Sequence, residues 1–566
     1  MSKASLKKQD VSVDSITCEL IRNSLRSAAA QMKQTLVRTA FSPVIYAQND
    51  FAAALYDADC RLVIQAATMP SFLGTLGSCI RAAVASLGGA QALSPGDVIA
   101  YNMPHEGGTH PQDMGVFMPS FVENRLVGYA IVKAHLRDIA AISPYPTNSQ
   151  DVFQEGLLLP GIKIHEAGKP VEAIFRIVAA NSRAPRAVSG DLRAEISACR
   201  VGARELERLV DKFSIPVFER ALELLYDQGE AFVRRFLEQL PDGRYSGRSY
   251  VDSDGLDDEL ITFDVFVDKR GNGCAIDFTA VPKAHRGPVN CPLPSTIGGA
   301  RVVVSMLAGA TDSLNEGYFR PIEVLTTPGT MFHPVSPEPC FLYGWPLASA
   351  FEAIFEAFAK AKPGVSPAGS AGDLCAVQVY TVSEADGELN KIGGALPAGH
   401  GGHARGDGAI VYIPIVGNQR LVPAELEEAK FPILFEKLEF TQDTAGAGEF
   451  RGATGWEKRF RMLGETRVIS IMERCKVPGA GAVGGTSGAA NSFSVEYPDG
   501  REEVYGKKTW FSVPAGALFK IRVGGGGGYG APSKRTESAI QADLQDGVVS
   551  PEFVRKHYAH AAHLLK

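Results

Sequence analysis

The chain has 566 residues, 45% of them hydrophobic and 21% charged, with a formal net charge of −6. That length exceeds one ordinary core, so two to four lobes are expected, and the mild, evenly spread charge argues against a nucleic-acid or membrane-surface partner. Nine cysteines, odd in number and without a CxxC pair, fit reduced thiols and leave no Cys-built zinc site.

The first ten residues carry lysines but no apolar leader core, and no stretch approaches the roughly 18 apolar residues of a membrane span. The expectation is a soluble, cytoplasmic protein. Residues 14–40 place Ile16, Leu20, Ile21, Leu25, Met32 and Leu36 at helical spacing, with Asp14 or Ser15 available as cap. Next, 49–66 reads as two short strands around the polar turn Asp57–Cys60, and 70–90 holds a further helix.

From 96 the pattern turns to strands: GDVIAYNM, the loop PHEGGTHPQD, then MGVFMPSFV and LVGYAIVKAH joined by Glu123, Asn124 and Arg125. A helical region follows over about 189–239, interrupted at Pro216 and closed by PDGRY. Beyond 248 the chain is mainly β, with helical returns near 296–308 and 349–361, a glycine-rich final third and a helix after 534. The expected fold is mixed α+β and multi-lobed: a metal-site α+β domain at 14–247, a β-rich domain with inserted helices at 248–533, and a helical segment at 534–566.

The chemistry concentrates at 105–138. So short a connection makes 114–122 and 126–135 an antiparallel hairpin, and its register sets Asp113 opposite His135 with β-carbons about 5 Å apart. His110, three residues earlier, folds back over both, aided by Gly107 and Gly108. Two imidazoles and a carboxylate suit Zn²⁺, Mn²⁺ or Fe²⁺ and leave positions for water and substrate. The competing reading makes the two histidines loop residues hydrogen-bonded to nearby carboxylates. Asp138 is the candidate general base, or the acceptor that orients a ligand imidazole, and His105 and Glu106 are read as loop residues.

GDVIAYNMPHEGGTHPQDMGV followed by AHLRDIAAISP resembles the hydantoinase B family, whose segments run close to GDV…NDPY…GGTHLPD and HxxDIGG. Further matches are NDFAAALYDADCRLVIQ, SGDLRAEISACRVGARELERLV, HRGPVNCP, NEGYFRPIEV, GAGEFRGATGWEKRF and GGGGYGAP, so the likeness spans about 14–560. The chain departs from the pattern at Met103, Gln112, Ala140 and Ala141, and lacks an acidic residue just before Asn49 and Asp50. The resemblance implies a subunit of an ATP-dependent enzyme of the group holding N-methylhydantoinases, 5-oxoprolinases, caprolactamase and the acetone and acetophenone carboxylases. It implies His110, Asp113 and His135 as metal ligands. It also implies a separate hydantoinase A-type subunit that uses ATP and Mg, in a heterotetramer.

The remaining motifs are weaker. VGGGGGYG (523–530) lacks the GK[ST] ending of a phosphate loop, and a close-packed turn is the better reading. His400, His403 and Asp407 have ligand types but sit in a glycine-rich loop. Arg286, Asn290, Asn315, Glu316 and Arg320 fit internal ion pairs as well as substrate contacts, and Cys291 lacks partners for a nucleophile. The expected activity is hydrolysis of a small cyclic amide activated by the partner. The alternatives are a ketone carboxylase, a facial-triad oxygenase lacking the HxD spacing, and a non-catalytic assembly subunit.

Overall fold

A computed structural model describes residues 11–310, 314–382, 387, 389–394, 396–411, 413, 416–417 and 420–565. The first ten residues, read above as lacking a leader core, lie outside that set. Helices and several sheets alternate along the chain, as expected for a mixed α+β protein.

The chain opens with helix α1 (Ser15–Thr39), whose N-terminus is capped by Asp14 accepting from the Thr17 amide at 2.9 Å. Strands β1 (Phe51–Asp57) and β2 (Leu62–Gln65) form the expected hairpin, and helix α2 (Leu76–Ser86) follows. Strands β3 (Val98–Tyr101), β4 (Asp113–Val122), β5 (Arg125–His135), β6 (Pro160–Glu166) and β7 (Lys169–Pro170) complete an antiparallel sheet ordered β2-β1-β5-β4-β3-β6-β7.

The strands from β2 through β3 are buried on both faces, which explains their near-continuous apolar sequences. Helix α1 and the helices α3 (Pro185–Phe213) and α4 (Ile215–Leu237) cover one face, against Ala53, Leu55, Val116 and Val132. Ser214 separates the last two and Pro216 sits in the first turn of α4, so the helical region breaks next to the interruption expected at Pro216. The opposite face, with Ala54, Ile99, Phe117 and Ile131, shares one core with the rest of the chain.

That core includes a second sheet of β8 (Gly243–Val251), β9 (Ile261–Arg270), β10 (Gly273–Asp277) and β11 (Ile322–Leu325). Helices α5 (Leu293–Leu307) and α6 (Gly344–Ala361) pack with it. β8 begins at Gly243, ahead of the expected boundary at 248. Strands β12 (Ala376–Val382) and β13 (Leu389–Ile392) belong to a further four-stranded sheet, and 433–523 supplies a five-stranded one. Helices at Glu537–Gln545 and Pro551–His557 form their own small cluster around Ile540, Val554 and Tyr558.

The glycine run 524–528 threads through the C-terminal part as an interior strut. A Cβ on Gly525, Gly526, Gly527 or Gly528 would lie about 2 Å from the carbonyl oxygens of Thr444, His400, Ala480 and Ala447 respectively. The amides of Gly524, Gly526, Gly527 and Gly528 donate to Asn491 Oδ1, Ala453 O, Gly369 O and Thr486 O. Those donors are spent inside the protein, so the close-packed reading holds and these amides form no phosphate cradle.

Candidate metal centre

The hairpin β4–β5 turns on only two residues, Glu123 and Asn124, both with positive φ (50° and 61°), a geometry suited to a two-residue hairpin turn. A three-residue connection was expected. A bulge between Ser120 and Phe121 restores the register shift, so Asp113 pairs with His135. β1 lies on the far side of β5, with Phe51 opposite Ala134, and the His135 amide donates to Asp50 O at 3.1 Å. Adjacent strands thus present Asp113, His135 and Asp50 in one row.

His110 completes a triangle. Its Nε2 lies 3.1 Å from Asp113 Oδ1 and 3.0 Å from His135 Nδ1, and His135 Nδ1 lies 3.1 Å from the same oxygen. All three side chains are buried, and they form a cluster of metal-ligating types. Donors spaced this way suit adjacent positions around a cation with bonds of about 2.1 Å.

The proton inventory points the same way. His110 Nδ1 sits 2.8 Å from Phe341 O, an acceptor only, so it carries the proton and leaves Nε2 a lone pair facing the cluster. Without a cation, burial favours neutral His110, yet the Asp113 charge and hydrogen bond outweigh it and raise its pKa. Burial works against the Asp113 carboxylate, but the His110 charge and both imidazole bonds hold it well below the usual range. Burial pushes His135 down to about 4. Two imidazole nitrogens and a carboxylate oxygen thus meet within 3.1 Å of one another, a donor set that a divalent cation satisfies.

Two buried groups brace this geometry. Lys133, on the same face of β5 as His135, donates from Nζ to the carbonyls of Gly107 (3.0 Å) and Gly108 (3.2 Å), tying the His110 loop to the strand. Glu155 Oε1 accepts from Ser149 Oγ (2.9 Å) and from the amides of Cys340 and Phe341 (both 2.8 Å). It thereby holds the segment whose carbonyl orients His110. Burial raises the Glu155 carboxyl to about 8 despite these bonds.

The triad opens into a cavity of about 80 Å³. Its walls come from both sides of the expected boundary at 248. Phe341 lies 4.6 Å from the His110 ring, Tyr145 stands edge-on to both, and Tyr343 Oη donates to Asp113 Oδ2 at 3.3 Å. Asp50 and Lys391 line the same space. Burial and then the Asp113 charge raise Asp50 to about 7, while burial lowers Lys391 to about 8. Sequence reasoning passed over both, because pairing of β1 with β5 and the arrival of β13 are long-range events.

Asp138 is not brought to the imidazoles. The chain leaves the sheet after His135, and the Asp138 carboxylate is taken by Arg183 through its backbone amide, its Nε (3.0 Å) and its Nη2 (3.0 Å). Ala140 adopts φ 65°, the left-handed region that favours glycine, at one of the positions where the family pattern has glycine. His105 Nε2 bonds Glu338 O at 3.0 Å, outside the cavity lining.

His403 is exposed, and Asp407 is held by Arg535 at 2.8 Å, so no second cluster forms among the described residues. Arg320 pairs with Glu223, Asp227 and Glu230. Asn290 staples the carbonyls of His285, Gly287 and Pro339. The nine cysteines are free thiols, with Cys291 fully buried. No described helix is long and apolar enough to cross a membrane.

The family model described as Hydantoinase B/oxoprolinase matches residues 14–532. The chain is 27% identical over 561 residues to the caprolactamase subunit beta of Pseudomonas jessenii, covering 96% of each. The crystal structure of the ATP-dependent caprolactamase from that organism superposes with a TM-score of 0.90 at 26% identity, over 97% of this chain and 96% of that one. A nucleotide-free acetone carboxylase structure superposes with a TM-score of 0.85, over 95% of this chain and 79% of that one. At 18% identity this is a likeness of fold.

Proposed function

The chain belongs to the hydantoinase B/oxoprolinase family, and from that premise we propose that it is the metal-dependent subunit of an ATP-dependent cyclic amide hydrolase. The observation that carries this reading is the buried triangle of His110 Nε2, Asp113 Oδ1 and His135 Nδ1 lining a cavity. Similarity to a protein named as a beta subunit supports a hydantoinase A-type partner that spends ATP on the substrate.

His110, Asp113 and His135 would hold a divalent cation: Zn²⁺, Mn²⁺ or Fe²⁺. Such an ion supplies Lewis-acid stabilisation of a developing oxyanion and a lowered pKa for water. The residues of the chain do the rest. Phe341 O fixes the His110 tautomer, and Tyr343 Oη occupies the second oxygen of Asp113, limiting how that carboxylate turns. Phe341, Tyr145 and Trp345 exclude bulk water, which strengthens charge interactions inside. Asp50, the carboxylate in the cavity outside the triad, accepts a proton from water. Lys391 beside it is the donor available to the leaving nitrogen.

The partner-phosphorylated lactam or imide is the substrate. Water adds to the activated ring carbon, and the ring C–N bond breaks with its electron pair going to nitrogen, which takes a proton. The C–O–P linkage is hydrolysed to inorganic phosphate, two waters being consumed per ring opened.

The test is an ATP-coupled assay of the chain with its partner on lactams, hydantoins and 5-oxoproline, set against ketones with bicarbonate. ATP-dependent ring opening that disappears in a His110→Ala, His135→Ala double variant is the expected result. Bicarbonate-dependent consumption of a ketone would replace this reading with a carboxylase. Full turnover by an assembled, metal-free double variant would replace it with a scaffold.

A further inference from the structure

The metal cavity holds more polar chemistry than the triad uses. Outside His110, Asp113 and His135, its charged lining among the described residues is one carboxylate, Asp50, and one ammonium, Lys391. The two are charge partners. Against the burial that disfavours both, Lys391 supports the Asp50 carboxylate and Asp50 supports the Lys391 ammonium.

Three neutral groups in the same lining have unspent hydrogen-bonding capacity. Ser71 is 4% exposed, and its Oγ is buried without a partner. Gln378 stands on the same face of β12 as Ala376, and Tyr380 Oη donates to its Oε1, which fixes the carboxamide and leaves the Nε2 hydrogens unspent. The Gln48 carboxamide rests on the bare Cα of Gly394, where a Cβ would come within 3.0 Å of Nε2. A buried polar group without a partner is costly, so its presence calls for an explanation. A ligand supplies one, because all three residues border the space beside the triad.

We propose that Ser71, Gln48 and Gln378 determine specificity for the ring, and that the ring they take is an uncharged cyclic amide, a plain lactam or a hydantoin, rather than one bearing a carboxylate. The inference rests on the proposed function and narrows its substrate class. A ring amide is held cis, with its N–H and carbonyl on one edge, and a carboxamide carries a donor and an acceptor that match them. Once the ring nitrogen has lost its hydrogen on activation, a carboxamide N–H donates to it instead. The hydroxyl of Ser71 serves either state, while Met69, Phe72 and Leu374 suit the ring methylenes.

A ring carboxylate finds no such match. Lys391 is committed to Asp50, the ion that the triad would hold is matched by the phosphoryl group, and a further carboxylate would approach both Asp50 and Asp113. A charge placed among buried groups without a partner is strongly disfavoured.

The test compares kcat/KM for ATP-coupled opening of 2-pyrrolidinone, 5-oxoprolinamide and 5-oxoproline by the complex with the partner. These share one ring and carry no substituent, a neutral one and an ionised one. Both neutral rings should exceed 5-oxoproline at least about tenfold; equal or better use of 5-oxoproline overturns the proposal. A Gln48→Lys variant supplies a cation for the carboxylate and should move the ratio at least about tenfold toward 5-oxoproline. The partner is the same in both complexes, so that shift belongs to this chain, and general damage to the fold would not produce it.

A Ser71→Ala, Gln378→Met variant should raise KM for 2-pyrrolidinone about tenfold with kcat changed less than about threefold. A ratio unmoved by Gln48→Lys, or a KM unmoved by the double substitution, overturns the proposal. Rings opened without the expected preference or shift defeat this inference alone. A native complex that opens none of the rings with ATP defeats the proposed function and this inference with it.

Discussion

Two histidine-bearing loops invite the same reading from their spacing, and the structure separates them. His110 and Asp113 stand at the mouth of a hairpin whose register delivers His135 within 3.1 Å. His400, His403 and Asp407 lie in a glycine-rich loop where His403 faces solvent and Asp407 serves Arg535 and Arg451. Ligand-type residues at ligand spacing therefore do not make a site. A site also needs a framework that brings a residue from elsewhere in the chain and orients one nitrogen toward the cluster by occupying the other.

The strongest challenge to this contrast is to exchange its terms. His110→Ala, Asp113→Asn or His135→Ala should each lower turnover roughly a hundred- to thousandfold, the scale of several kcal/mol of lost cation stabilisation. His403→Ala should leave turnover within about twofold. Parallel kinetics with metal analysis check this, and a matching loss in the His403 variant would dissolve the distinction.

Next in size is the framework. Lys133→Met removes the ammonium that grips the Gly107 and Gly108 carbonyls. It should weaken metal binding about ten- to hundredfold, as changes to groups that orient ligands commonly do. A chelator-competition titration measures it, and native affinity with only a lowered Tm would reduce Lys133 to a packing role.

Glu155→Gln should act more gently, through the Phe341 carbonyl, with a loss in metal affinity of about tenfold or less. It carries a pH signature too. The Glu155 carboxyl rises from 4.5 to about 8 on folding because burial outweighs its hydrogen bonds. The folded state thus keeps a proton that the unfolded state gives up. This contribution is full below about pH 4.5 and falls as pH rises toward 8, at up to about 1.4 kcal/mol per pH unit. Denaturant melts of the native chain and the Gln variant across pH 5–8 should differ in slope, and identical slopes would contradict the account. Smallest of all, Asp407→Asn should lower Tm by a few degrees through its loosened hold on Arg535 and leave bound metal unchanged.

Much of the site was legible because hairpin pairing is local. Alternation set Asp113 and His135 on one face, and a misjudged turn length was cancelled by the bulge at Ser120 and Phe121. The family motif named the same three residues. What was not legible came from afar: Asp50 arrives by β1 pairing with β5, while Lys391, Tyr343 and the Phe341 carbonyl come from segments that no local pattern ties to the hairpin. Asp138 was misplaced because strand geometry cannot be extrapolated past the end of the strand, where Arg183 claims it. The helices and the mixed α+β class followed from periodicity. The sharing of one core across residue 248 did not, since it depends on how two sheets and their helices pack.

The central claim, that His110, Asp113 and His135 hold a working cation, is tested most directly by elemental analysis of the assembled complex before and after the His110→Ala, His135→Ala substitution, with ATP-coupled ring opening followed on the same samples. The account predicts about one divalent cation per native chain and near none in the folded double variant, with turnover lost in step. A double variant that keeps both its cation and its turnover would contradict it.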